Sequence, residues 1–257
     1  MSANVRKKEI KQLLLQNSFV SVSELAQLFS VTEETIRRDL RALEHDGIVN
    51  RTHGGAVLKE KVSASFSRQD IRDLLQNSKI SMAGTARQFI QNGDCIFMDS
   101  SSTVQALFPM IKDLQLTIVT DSIDIMATCS NLPNIKLIAL GGAYEPKARC
   151  FSSHFARELL QNFYFDISIL SCRTINIQSG LTDSAIDEAA VKRLAIEHGQ
   201  KTIVMADHTK FNRVSFAKIC DLDQIDILIT DQSVEPEWKT SLREKQIELL
   251  VSQGKKE

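Results

Sequence analysis

Long hydrophobic runs are missing from this 257-residue chain: nothing in it approaches the ~20 apolar residues of a membrane-spanning helix. The opening MSANVRKKEIKQLLLQN is basic but lacks the apolar core of a signal peptide. Cysteine is sparse and unpatterned. Cys95, Cys129, Cys150, Cys172 and Cys220 are odd in number, scattered and never in CxxC spacing, which fits neither a disulfide framework nor a zinc site. A soluble protein of the reducing cytoplasm is expected, with no metal, no cofactor and no membrane partner. Charge of one sign is absent too. A formal net charge of −1 excludes a globally basic coat for nucleic acid, so any DNA contact has to come from a local basic face.

What is present is the mix of an ordinary globular protein, 43% hydrophobic and 25% charged, long enough for a small domain followed by a medium one. In the first sixty residues, Ile10, Leu13 and Leu14 give Val5 to Gln16 an apolar helical stripe, with Arg6, Lys7, Lys8 and Lys11 expected on the wet side. Ser21-Val-Ser-Glu24 reads as a capping box opening a second helix over Val22 to Phe29. Only Ser30-Val31-Thr32 then intervenes before a third helix, for which Thr32 is the N-cap. With Ile36, Leu40 and Leu43 inward, Glu34, Arg38, Arg41 and His45 face out, flanked by Thr35 and Arg37.

A short helix carrying three outward arginines after a tight helix-turn-helix is the element that enters a DNA major groove. The alternating stretch closed by Gly54-Gly55 reads as a small hairpin, or wing, bearing Arg51 and His53. The plain alternative is a solvated helix face whose arginines pair with Glu34 or Asp39. Residues 1–60 hold nine Lys and Arg against eight Asp and Glu, a balance of only +1, which favours a protein that binds DNA as a paired oligomer.

The stretch VSVSELAQLFSVTEETIRRDLRALEHDGIVNRTHGGA resembles the winged helix-turn-helix of the DeoR family of bacterial transcriptional regulators. That resemblance puts TIRRDL on the recognition helix and RTHGGA in the wing, and carries over to Thr35, Arg37, Arg38, Arg51 and His53. With the outward arc and the cap, the candidate DNA contacts are Thr32, Glu34, Thr35, Arg37, Arg38, Arg41, Arg51 and His53. It further implies repression of sugar-utilisation operons, with operator DNA as partner.

Beyond a polar linker near 58–67, apolar runs alternate with amphipathic segments: CIFM (95–98), LTIVT (116–120), KLIAL (136–140), ISILS (167–171), TIVM (202–205), DILIT (226–230) and an edge run IELLVS (247–252). Intervening helices are expected at 104–112, 123–129, 153–162, 185–198 and 236–244. Such alternation means a parallel sheet, whose ligands bind beyond the strand C-terminal ends. There lie Asp99-Ser100-Ser101-Ser102-Thr103, Asp121-Ser122, Gly141-Gly142, Asp207 and Lys210. Hydroxyls and amides at a helix start can cradle an anion, although each serine can equally be a mere N-cap.

Residues 80–230 are similar to the DeoR-type sensor domain, whose fold resembles sugar-phosphate isomerases. The resemblance implies an effector pocket lined by Asp99–Thr103, Thr120–Ser122, Gly141, Gly142, Glu188, Lys192, Asp207 and Lys210, and a small phosphorylated sugar or related metabolite as ligand. On residues alone, Glu188 and Lys192 could be a surface i, i+4 ion pair. The chain departs from the family pattern at Ser101, Ser153 and Thr174, which replace glycines, and at Asp121, which stands where asparagine is usual.

The expected fold is α/β: a winged helix-turn-helix over 1–57, a linker and the start of a connecting helix over 58–76, and a mostly parallel α/β domain over 77–257. Two functions follow. One is a repressor, acting as a homodimer or homotetramer, with no catalytic residue. The other is a sugar-phosphate isomerase or deaminase with Glu188 or Asp207 as base and Lys192 or Lys210 holding the anion.

Overall fold

Residues 3–17, 19–52, 54–58 and 75–252 are described by the computed structural model, in which the chain divides into two units at Leu75/Gln76. In the first, α1 (Ala3–Asn17), α2 (Val22–Phe29) and α3 (Glu33–His45) accompany the strands β1 (Phe19–Ser21), β2 (Val49–Arg51) and β3 (Gly55–Leu58). Both expected caps are present. Ser21 Oγ accepts the Glu24 amide at 3.1 Å, and Thr32 Oγ1 accepts the Thr35 amide at 3.3 Å, satisfying donors that the first helical turn leaves unpaired. Ile10 and Leu14 of α1 meet Leu25, Phe29, Ile36, Leu40 and Leu43 in one core.

Arg6 departs from the expected wet side. It is buried, and its Nε donates to the buried Asp39 carboxylate of α3 at 2.6 Å, so Asp39 ties two helices together and does not join the surface arginines. The three strands pair antiparallel in the order β1-β3-β2. Gly55 packs so tightly against β1 that a Cβ there would stand 2.0 Å from the Val20 carbonyl oxygen. It serves close backbone approach, while Gly54 belongs to the turn.

The second unit is built on seven parallel strands: β4 (Cys95–Met98), β5 (Leu116–Thr120), β6 (Ile135–Ala139), β7 (Ile167–Leu170), β10 (Thr202–Met205), β12 (Ile227–Thr230) and β13 (Glu248–Val251). Their order is β13-β12-β10-β7-β4-β5-β6. The chain therefore winds outward from β4 in one direction, then returns beside β4 as β7 and winds the other way. Such a reversal leaves a crevice at the C-terminal ends of β4 and β7.

Both sheet faces are covered, which is why the strands read as unbroken apolar runs. One face carries α4 (Gln76–Ala86), α5 (Ser102–Gln105), α6 (Phe108–Ile111) and α7 (Ile123–Cys129). The other carries α8 (His154–Leu160), α9 (Ile186–Glu197) and α10 (Pro236–Glu244). Two features depart from expectation. The helix read over 104–112 is two short helices, with Pro109, which has no amide to donate, at the second position of the latter. A small antiparallel sheet of β8 (Thr174–Asn176), β9 (Gly180–Asp183) and β11 (Ala217–Cys220) also forms, where Thr174 and Thr182 pair their buried hydroxyls at 2.7 Å.

Candidate functional site

On α3, burial of Ile36, Leu40 and Leu43 leaves Glu34, Arg37, Arg38 and Arg41 exposed and Thr35 half-buried. Arg37 pairs with Glu33 at 2.7 Å and Arg41 with Glu34 at 3.3 Å, both in water, where such pairs contribute about 0–1 kcal/mol. Arg38 has no ion pair among the described residues. On the hairpin, Arg51 lies 3.6 Å from Glu44 of α3, whose Oε1 also accepts the Arg51 amide at 3.3 Å, so the base of the wing is fastened to the end of that helix. His53 lies outside the described residues. The surface is thus a helix face with three arginines, of which only exposed carboxylates hold two.

In the second unit the expected loop residues follow the C-terminal ends of β4, β5, β6 and β10, and Asp99 meets Lys192 at the reversal between β4 and β7. Asp99, wholly buried, accepts the Ser101 amide on Oδ1 and the Ser171 amide on Oδ2, each at 3.0 Å, and so spans the strands on either side of the crevice. Lys192 reaches in from α9, its ammonium 3.3 Å from Asp99 Oδ2 and 2.6 Å from Asp183 Oδ2. At 5% exposure for both Lys192 and Asp183, this is no surface pair. Burial alone would depress the Lys192 pKa, but Asp183, Asp99 and Glu188 outweigh it and hold the lysine above its ordinary value.

Glu188, one turn earlier, is likewise buried. The Cys150 thiol is pushed up to about 11, chiefly by burial and then by the charges of Asp121 and Glu188. Cys172 is pushed up to about 12 by burial, against the opposing influence of Lys192 and Lys210. Lys210 is half-buried in the short turn His208–Lys210 and has no ion pair among the described residues. Asp207 caps that turn through Oδ1, which accepts the Thr209 amide at 3.0 Å, while its buried Oδ2 has no hydrogen-bond partner among the described residues.

The hydroxyls divide by role. Ser101 and Ser122 are N-caps, accepting Val104 and Ile125 amides at 3.2 and 3.4 Å. Ser102 accepts a hydrogen bond from Lys79 at 3.1 Å, while Ser100 in the preceding loop and Thr103 of α5 are buried beside it. Gly141 and Gly142 are exposed, and Gly142 has φ +128°, a backbone that side chains rarely adopt.

Two charged residues of this crevice escaped sequence reasoning. Lys79 is buried in α4 at a position sharing the stripe of Met82, Ala83 and Ala86, and that spacing was a usable signal. Asp183 ends β9 inside a polar stretch, where nothing local distinguishes it from a loop aspartate.

Residues 6–62 match the family model of the DeoR-like helix-turn-helix domain, and residues 75–232 that of the DeoR C terminal sensor domain. The chain is 34% identical to the uncharacterized HTH-type transcriptional regulator YulB of Bacillus subtilis strain 168, over 96% of this chain and 95% of that protein. It is 30% identical to the putative aga operon transcriptional repressor of Escherichia coli O157:H7, over 96% and 93%. Among solved structures it is similar to ribose 5-phosphate isomerase A from Methanocaldococcus jannaschii, with 12% identity and a TM-score of 0.40 over 53% of this chain and 55% of that one.

Proposed function

The chain belongs to the DeoR family of transcriptional regulators, and from that premise we propose that it represses a carbohydrate-utilisation operon and is released from its operator by a small phosphorylated sugar. The isomerase or deaminase reading falls with the family, whose members are regulators and not enzymes. The observation that carries the proposal is the arginine face of α3. Arg38 is free to meet a base edge or phosphate, and Arg37 and Arg41 give up only weak exposed partners to do the same. Thr32, Glu34 and Thr35 complete the helix surface, and Arg51 and His53 take the flanking backbone.

In this proposal the ligand's anionic group lies against the Ser100–Thr103 loop with Lys210 as its cation. Asp121, Glu188 and Asp207 are acceptors for sugar hydroxyls. Lys192, already neutralised by Asp99 and Asp183, holds the crevice in shape and is not the anion's counter-charge. Residues 1–60, with a net charge of only +1, bind phosphates weakly, so the working species is a homodimer or homotetramer in the cytoplasm. No helix among the described residues is long and apolar enough to cross a membrane.

The test is footprinting of the purified chain on DNA flanking its own gene, with and without a panel of sugar monophosphates. Protection of a repeated site, relieved by one panel member, is the expected result. Protection that no member relieves would remove the ligand class, and absence of any protected site would remove the operator.

A further inference from the structure

At four helix starts in this chain, Ser21, Thr32, Ser101 and Ser122 use their hydroxyls as caps, accepting an amide of the first turn at 3.1–3.4 Å. Ser153, the N-cap of α8, does not. Its backbone is extended, its side chain caps nothing, and its Oγ is buried with no hydrogen-bond partner among the described residues. A hydroxyl buried without a partner costs about 1–3 kcal/mol, so its position there asks for a reason.

The surroundings supply one. Ser153 Oγ lies so close to Gly142, in the loop after β6, that a Cβ on that glycine would stand 2.1 Å from it. The segment leading to Ser153 is fastened to Asp121 and Ser122, just beyond β5. The Phe151 amide donates to the Asp121 carbonyl at 2.9 Å, Ser122 and Cys150 form a β-bridge, and the Cys150 thiol donates to Ser152 Oγ at 3.5 Å. Glycine at 142 thereby leaves room for a hydroxyl that makes no contact the fold requires.

We propose that Ser153 is a specificity-determining residue, its hydroxyl hydrogen-bonding a hydroxyl on the carbon chain of the phosphorylated sugar. The assignment rests on the ligand class given above and adds which end of that ligand is read here. Ser153 meets the carbon chain, away from the anionic group at Lys210. A serine hydroxyl both donates and accepts, which suits a sugar hydroxyl and discriminates against an analogue lacking it, because the protein group is then left unpaired.

The experiment is calorimetric titration of the full chain and of Ser153→Ala with hexose and pentose monophosphates, singly deoxygenated analogues of each, and inorganic phosphate. The parent should bind one sugar phosphate and lose about tenfold when one particular hydroxyl is removed. Ser153→Ala should lose the same factor for the complete sugar, lose nothing further on deoxygenation, and bind inorganic phosphate as the parent does. Unliganded melting should not fall and should rise if anything, since the side chain caps nothing and the variant removes an unpaired buried hydroxyl. Equal affinity of parent and Ser153→Ala for the complete sugar overturns this contact and leaves the proposed function standing. Binding of no panel member by the parent overturns the ligand class, and this contact with it.

Discussion

Replacing Lys192 with methionine removes the one ammonium within ion-pair distance of both Asp99 and Asp183 among the described residues. Both carboxylates are nearly inaccessible to water, so the charges left behind cannot be resolvated without opening the crevice. Breaking a buried pair from one side typically costs about 3–5 kcal/mol. Here the low end applies, because Asp99 keeps the Ser101 and Ser171 amides and Asp183 keeps the Ser184 amide at 2.7 Å. A loss of about 3 kcal/mol lowers the melting temperature of a unit this size by roughly 6–12 °C.

The pH dependence has a definite sign. In the parent, the raised Lys192 pKa means its contribution is fully present below the ordinary lysine value of 10.5 and is lost only as pH climbs past it. In Lys192→Met the stranded carboxylates acquire folded-state pKa values above their unfolded values of about 4. The penalty is then full at neutral pH and shrinks as pH falls towards 4.5. Thermal unfolding followed by circular dichroism at pH 7.5 and pH 5 measures both effects. A loss below about 1 kcal/mol, the value of an exposed pair, or a gap from the parent that widens on acidification, would refute the buried triad.

Arg38→Ala should weaken operator binding by roughly 1–3 kcal/mol with unchanged melting, and a folded variant that binds as well as the parent would remove Arg38 from the interface. Gly55→Ala forces a Cβ to 2.0 Å from the Val20 carbonyl oxygen, so the first unit should lose at least about 2 kcal/mol of stability; an unchanged melting transition would contradict the close packing of β1 on β3. Lys210→Ala should still bind operator yet fail to respond to ligand, because a ligand shifts an equilibrium only by its differential affinity for the two states; identical release in parent and variant would place Lys210 outside the site.

Local chemistry alone determined a good part of this protein. Ser21 and Thr32 announce helix starts because only short side-chain acceptors can reach the first amides. Ile36, Leu40 and Leu43 settle which face of α3 is buried, and hence that Arg38 is not. The apolar runs mark every strand of the parallel sheet, because strands buried on both faces leave no polar alternation. These signals need no partner from elsewhere in the chain.

Tertiary structure decided whatever depends on a distant partner. Arg6 looks like a solvated residue on a basic helix until α3 brings Asp39 within 2.6 Å of it. Lys192 pairs by spacing with Glu188, yet the fold places its ammonium on Asp99 and on Asp183 of a small sheet that no periodicity foretold. A buried charge is held by the charge opposite it, and which residue stands opposite is set by strand order. In this unit that order reverses between β4 and β7, so residues far apart in the chain meet in one crevice, where no sequence spacing could join them.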